Sequence, residues 1–309
     1  MNTAHDEPVY DCVIIGGGPA GLAAGLYVAR ARLNALLVDR SAPGGQLLLT
    51  ETVENYPGFV EPINAYDLIQ QMVDQCKRFD LQFAQKSITG IAVRPDGLHQ
   101  LETTDGRLVS RTTVLCTGAV PRRLDVPGEK EFSGKGVSYC ATCDGAFFRG
   151  KRVAVIGGGD TAVEEGVFLT RFCEKVTIIH RRTELRAQKV LQERAFANPK
   201  IEFILGAVPV EIIGDTSVKG LRIKDTKTGA VSTLDVPGVF IFFGYLPQTD
   251  IVAGLVKLDE SKHILTDDYM QTSVPGLFCA GDVRRSPLKQ IATAVGEGAI
   301  AGWAVEKYI

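Results

Sequence analysis

The chain lacks a strong charge of either sign: 34 Lys and Arg against 36 Asp and Glu leave a formal charge of -2 across 309 residues. That balance offers no polycationic surface to follow a phosphate backbone, so no nucleic-acid partner is expected. No run approaches the roughly 18 apolar residues of a membrane span. The opening "MNTAHDEPVY" has neither the cationic start nor the apolar core of a secretory leader. These absences predict a cytoplasmic protein with no membrane association. Metal-binding clusters are also missing: His5, His99, His180 and His263 are isolated, and there is a single C-x-x-C. A tetrahedral zinc site wants four ligands, commonly two such knuckles or one with a His pair, so no metal is expected. Of seven cysteines, Cys12, Cys76, Cys116, Cys173 and Cys279 are scattered singly, mostly among apolar neighbours. They read as small buried hydrophobes in a reducing compartment.

What is present is one construction used twice. The length and a 45% hydrophobic content allow two domains, each with its own core. In "DCVIIGGGPAGLAAGLYVARA" an apolar strand over residues 11–15 runs into Gly16, Gly18 and Gly21, and a helix-forming stretch opens with Pro19 and Ala20. A second apolar strand, "ALLVD", ends at Asp39, followed by Arg40. Glycines let the backbone approach a pyrophosphate, the helix N-terminus offers free N–H groups, and a carboxylate accepts from a ribose hydroxyl.

"KRVAVIGGGDTAVEEGVFLTRF" repeats this with Gly157, Gly159, Asp160, Thr161 and Ala162, and its second strand ends at His180. Gly16 to Asp39 and Gly157 to His180 are both 23 positions. The ribose position differs, however: an acid in the first unit, "HRR" in the second, with Arg186 just beyond. A carboxylate suits a free 2′-hydroxyl, whereas Arg181, Arg182 and Arg186 suit a 2′-phosphate through charge-assisted bonds. The expectation is one FAD unit and one NADPH unit.

Between the two, "AYDLIQQMVDQCKRFD" spaces Leu68, Met72, Cys76 and Phe79 as a helix face, and "RPDG" and "TTDGR" punctuate an antiparallel ribbon. A helix is expected near residues 185–197. In the tail, "GLFCAGDV" reads as a buried strand running into Gly281 and Asp282, with a small-residue helix starting near Gln290. A buried strand needs a sheet, and the first unit is short of strands. The fold class expected is α/β, two Rossmann-like three-layer (ββα) dinucleotide-binding domains. Residues 1–118 with 245–309 would form a discontinuous FAD domain, and 119–244 an inserted NADPH domain, joined by hinges at 118–123 and 244–247.

"YCATCDG" sets Cys140 and Cys143 three positions apart and follows them with Asp144. As a staple, so short a loop contributes only about 2 kcal/mol, against nearly 5 for about 100 residues. Redox work accounts for the spacing: such a pair opens and closes with little backbone motion, and its thiol pKa can fall from about 8.5 to about 7. Asp144 has two readings, a proton carrier at the dithiol or an acidic helix cap.

The segments "VIIGGGPAGLAA", "GGQL", "ENYPG", "CATCDG", "VIGGGDTAVEE", "HRR" and "AGDV" together resemble the low-molecular-weight, bacterial-type thioredoxin reductases along nearly the whole chain. The resemblance implies that Cys143 faces the flavin, that Cys140 attacks the disulfide of thioredoxin, and that Asp144 is the acid of the dithiol half-reaction. It implies that Gly44, Gly45, Gln46 and Asn55 line the flavin with Asp282, Gln290, Ile291 and Ala292, and that the protein is a homodimer. Thr183, Leu185 and Lys289 depart from the residues frequent in that family. Two alternatives stay open: reduction of another protein disulfide, as in a peroxiredoxin system, and a flavin dithiol oxidase.

Overall fold

Residues 8–49 and 52–309 are described in a computed structural model. Of the opening ten residues, on which the expectation of no leader rests, residues 1–7 lie outside the described residues. The chain divides into two compact units, Met1–Val120 with Leu246–Ile309, and Pro121–Tyr245.

The first unit begins with β1 (Val9–Ile15), α1 (Pro19–Arg30), β2 (Ala35–Asp39) and a short pair, β3 (Thr52–Val53) and β4 (Ile63–Asn64). There follow α2 (Ala65–Lys77), β5 (Gln82–Gln85), β6 (Ile88–Val93), β7 (His99–Thr103) and β8 (Gly106–Leu115). The chain leaves through β9 (Ala119–Pro121). The second unit holds β10 (Val137–Ser138), α3 (Ala141–Asp144), β11 (Arg152–Ile156), α4 (Asp160–Leu169) and β12 (Lys175–His180). It continues with α5 (Lys189–Phe196), β13 (Ile201–Leu205), β14 (Ala207–Gly214), β15 (Val218–Asp225), β16 (Val231–Asp235) and β17 (Gly238–Ile241). After β18 (Tyr245–Pro247), the tail adds β19 (Leu277–Cys279) and α6 (Ile291–Tyr308) to the first unit.

The two units share a plan. In the first, β5-β2-β1-β8 are parallel neighbours, and β19 pairs parallel with Thr113–Leu115 of β8. The earlier half of β8 runs antiparallel to β7, and β7 to β6, making the third layer. In the second, β10-β17-β11-β12-β13 are all parallel, and β14-β15-β16 form the antiparallel layer. Strands covered on both faces read as unbroken apolar runs, as Val13–Ile15 and Val153–Ile156 do. The fifth strand has a different origin in each: the tail supplies β19 to the first, whereas in the second β10 comes from within the unit, ahead of its glycine turn. The expected return of the tail to the first sheet is therefore found.

Helix α2 starts where Asn64 Oδ1 accepts the N–H groups of Tyr66 (2.9 Å) and Asp67 (3.4 Å), and it buries Leu68, Ile69, Val73 and Cys76. Such a cap contributes about 1 kcal/mol. Helices α1 and α6 touch through small residues: a Cβ on Gly298 would lie 2.1 Å from Ala20 O, and one on Gly302 2.5 Å from Ala24 O. Both contacts advance together, so the helices run parallel with their N-termini at the same end.

One expectation is corrected. Helix α5 begins at Lys189 rather than near 185: Gln188 has a non-helical backbone (φ -56°, ψ 145°) as its N-cap, and the N–H groups of Arg186 and Ala187 both donate to Gly158 O (2.6 and 3.1 Å), tying the preceding stretch to the glycine turn. The units divide after Val120 and after Tyr245, slightly beyond Gly118 and Gly244. Those glycines mark where the backbone turns, with φ of +70° and +88°, not where the contacts change sides. Within the first unit, Thr117 Oγ1 donates to Gln248 O (2.7 Å) and Gln248 Nε2 to Thr117 O (2.8 Å). Within the second, Arg122 N–H donates to Gly244 O at 3.0 Å.

Candidate active site

The first unit's site is built around the turn from β1 into α1. Gly16 adopts φ +106°, and a Cβ there would lie 2.2 Å from Cys116 O; one on Gly21 would lie 1.8 Å from Gly16 O. Only glycine permits this approach of turn, helix and β8. Asp39, at the end of β2, accepts the Gly17 N–H through Oδ2 at 2.6 Å and the Ser41 N–H through Oδ1 at 3.0 Å. Gly44 N–H donates to Gly17 O at 2.8 Å, which lays the Gly44–Gly45 loop against the turn. Pro19 and Ala20 open α1, and Arg40 stands exposed beside Asp39.

A dinucleotide fits these residues. Gly18 caps α1 without any side-chain cap bond, no acid occupies the first turn, and a Cβ on Gly18 would meet nothing within 4 Å. Free N–H groups facing open space suit a pyrophosphate. Asn55 and Gln290, 235 residues apart in sequence, are joined by an Asn55 Nδ2 to Gln290 Oε1 bond of 3.0 Å. Gln290 caps α6, whose first turn presents Ile291 and Ala292. Gln46 lies exposed in the short 3-10 turn that begins at Gly45.

Residues not anticipated from the sequence hold Asp282 in place. Gly281 N–H donates to Glu297 Oε2 at 2.8 Å, and Glu297 Oε1 accepts from Arg284 Nη1 at 2.8 Å; both side chains of this pair are largely buried. Lys289 Nζ donates to Asp282 O at 2.7 Å and to Arg284 O at 3.3 Å. Burial raises the Asp282 carboxyl, with Lys289 acting in the opposite direction, and burial lowers the Lys289 ammonium, opposed by Asp282.

In the second unit Gly159 caps α4, again without a side-chain bond, and a Cβ there would meet Arg186 Nη2 at 3.9 Å. Gly157 and Ala162 pack the turn against the helix. The ribose position is built differently from that of the first unit. A Cβ on Gly158 would lie 2.4 Å from the His180 ring, so His180 is packed beneath the turn, 6% exposed, and its Nε2 has no partner among the described residues. Burial lowers its pKa, and Arg186, Arg181 and Arg182 lower it further. The three arginines are exposed and line an open pocket of about 450 Å³ with Thr183, Glu184 and Leu185. Asp160 does not face this pocket as a free acid: its carboxylate accepts from Gln188 N (2.7 Å) and Nε2 (3.3 Å), fastening the arginine loop to α4. Thr161 is exposed in the first turn. Cationic groups, uncapped N–H groups and an unpartnered imidazole nitrogen fit a phosphorylated nucleotide.

Cys140 and Cys143 are joined in a disulfide with Cα atoms 5.3 Å apart. Cys140 caps α3, its Sγ accepting the Cys143 N–H at 3.2 Å. The pair follows β10 and so lies at the carboxyl edge of the same parallel sheet as the Gly157 turn, where α/β folds place ligands. Asp144 makes no cap bond. Burial raises its carboxyl, with the nearby Ser138 hydroxyl acting against that, which suits a group that holds a proton. The other five cysteines are buried, as expected; burial pushes Cys12 and Cys76 up to about 12, Cys173 to about 11, and Cys116 and Cys279 higher still. No group of metal-ligating side chains occurs among the described residues, and no described helix is long and apolar enough to cross a membrane.

Two nucleotide-type turns with a disulfide beside the second define the class. Residues 10–298 match the family model of the pyridine nucleotide-disulphide oxidoreductases, and the chain belongs to that family of oxidoreductases. It is 46% identical over 309 residues to the thioredoxin reductase of Listeria monocytogenes, covering 99% of this chain and 96% of that one. It is 45% identical over 307 residues to that of Bacillus subtilis, covering 98% and 96%. The crystal structure of thioredoxin reductase from Streptococcus pyogenes superimposes with a TM-score of 0.93 at 46% identity, covering 97% of this chain and 98% of that one. Within the family, the chain is thus a member of the thioredoxin reductases.

Proposed function

We propose that this chain is an FAD-dependent reductase that passes electrons from NADPH through Cys140–Cys143 to oxidised thioredoxin. The observation that carries the reading is the disulfide at the carboxyl edge of the sheet that also presents the arginine-flanked turn. Bound FAD would supply a two-electron relay between a nicotinamide hydride and this disulfide, held by the Gly16–Gly21 turn, Asp39, Gly44, Gly45, Gln46, Asn55, Asp282 and the first turn of α6. Arg181, Arg182 and Arg186 would clamp the 2′-phosphate of NADPH over the uncapped start of α4. Nucleotide and disulfide belong to the same unit, so serving one flavin requires that unit to alternate between two orientations, turning at the crossings 118–123 and 244–247.

Once the pair is reduced, Asp144 manages the proton of the dithiol. The Cys140 thiolate attacks one sulfur of the substrate disulfide, forming a mixed disulfide and releasing one substrate thiolate, which takes a proton. Cys143 then attacks Cys140 Sγ, releasing the second substrate thiolate and restoring Cys140–Cys143. Two electrons thereby pass to the substrate. The same reading implies a cytoplasmic homodimer. The test is NADPH-dependent reduction of thioredoxin by the wild type and by Cys140→Ser and Cys143→Ser. Both variants should keep flavin and its reduction by NADPH yet lose disulfide turnover; full turnover by either overturns the relay.

A further inference from the structure

Tyr139, immediately before Cys140, is anchored at two points. Its hydroxyl donates to Glu129 Oε1 at 2.8 Å, and its carbonyl accepts the Tyr245 hydroxyl at 2.9 Å. Glu129 is only 3% exposed, and it also accepts the N–H groups of Leu124 at 2.9 Å and Asp125 at 2.7 Å. Leu124 and Asp125 lie in the stretch by which the chain enters the second unit, and Tyr245 is the last residue before it leaves. Both crossings therefore converge, through side chains, on one residue. A buried carboxylate is costly unless fully bonded, and here three donors satisfy it.

On the other side of this residue the cysteine is equally fixed. Ser138 Oγ accepts the Cys140 N–H at 3.1 Å and donates to Cys140 O at 3.2 Å. The backbone from 138 to 140 thus has little freedom of its own, and a displacement of Tyr139 must carry Cys140 with it.

We propose that Tyr139 is a positioning residue for Cys140, tying both chain crossings of the second unit to the backbone of the first redox cysteine through Glu129 and Tyr245. Movement of the crossings then alters the access of reagents to Cys140 Sγ. The proposal rests on the reading of the pair as a redox site, and is independent of which protein disulfide it reduces.

Tyr139→Phe removes the link to Glu129, and Tyr245→Phe the link to the Tyr139 carbonyl; neither changes side-chain shape appreciably. FAD-loaded wild type and variants are reduced anaerobically and treated with iodoacetamide, and the peptides of Cys140 and Cys143 are followed by mass spectrometry alongside thermal unfolding. The rate at Cys140 relative to Cys143 should rise about threefold to tenfold in each variant, the range set by one hydrogen bond. The double variant should show less than the product of the two, since the links act as one unit. An unchanged or lowered ratio in both single variants, even with a lower unfolding temperature, overturns the proposal and leaves the hydroxyls a purely structural role. Failure of the wild type to reduce thioredoxin would remove the functional reading without altering this ratio.

Discussion

Glu297 grips Gly281 and Arg284 at once, one carboxylate oxygen on the Gly281 N–H and the other on the guanidinium, each at 2.8 Å. The turn that presents Asp282 is thereby fixed to the middle of α6. Glu297→Ala leaves Arg284 largely buried without its counter-charge, so a loss of about 3–5 kcal/mol is expected. Glu297→Gln keeps an acceptor for Gly281 and should cost less. Urea unfolding of both variants, with flavin bound per chain measured in parallel, checks this; equal stability of wild type and the alanine variant would contradict it.

The arginine loop supplies the second prediction. Replacing Arg181 and Arg182 together by alanine should raise KM for NADPH by roughly tenfold to a hundredfold, the scale of one or two charge-assisted bonds, and change KM for NADH little. Steady-state kinetics with both nucleotides decides it. An equal rise for the two would place the 2′-phosphate elsewhere.

Stability should respond to pH through His99. This residue is fully buried, its Nδ1 2.9 Å from Thr113 Oγ1 and its Nε2 3.2 Å from Pro275 O. Since a carbonyl only accepts, Nε2 carries a proton. Burial lowers its pKa below the ordinary 6.5, the bond to Pro275 opposing. The unfolded chain therefore binds more protons, and the stability due to His99 is present above about pH 6.5 and lost as pH falls below it toward the folded value. His180 and His263 carry the same sign, while Asp144, Asp282 and Glu165, all raised, carry the opposite one. A difference measurement isolates His99: wild type should exceed His99→Asn by about 1–3 kcal/mol at pH 7.5, and by less at pH 5. A gap that widens on acidification would refute the assignment.

Thiol reactivity should separate two of the seven cysteines from the rest. At pH 8 the five buried thiols stay protonated and inaccessible, so the oxidised native protein should give almost no reaction with a disulfide reagent, and the reduced protein two thiols per chain. More than two in the folded state would mean that the cores around Cys12 or Cys173 open readily.

The two glycine turns are legible in the sequence because their demands are local: close approach and a strand-to-helix step fix residue types at set spacings, and the equal 23-residue intervals expose the duplication. Leu277–Cys279 is legible because an apolar run must find a sheet. Glu129, Glu297 and His99 are not, since their partners are backbone groups, single hydroxyls or one arginine brought to them by irregular segments of chain, and no periodic pattern marks them. The start of α5 misleads for a related reason: "TELRAQK" has helical composition, but its middle is held against Gly158 O and Gln188 takes a non-helical backbone.

The most direct test of the central claim is an anaerobic reductive titration of the FAD-loaded protein. The account predicts uptake of two two-electron equivalents by the wild type and of one by Cys140→Ser. Saturation of the wild type at one equivalent would mean that the sulfur pair stores no electrons, and would contradict it.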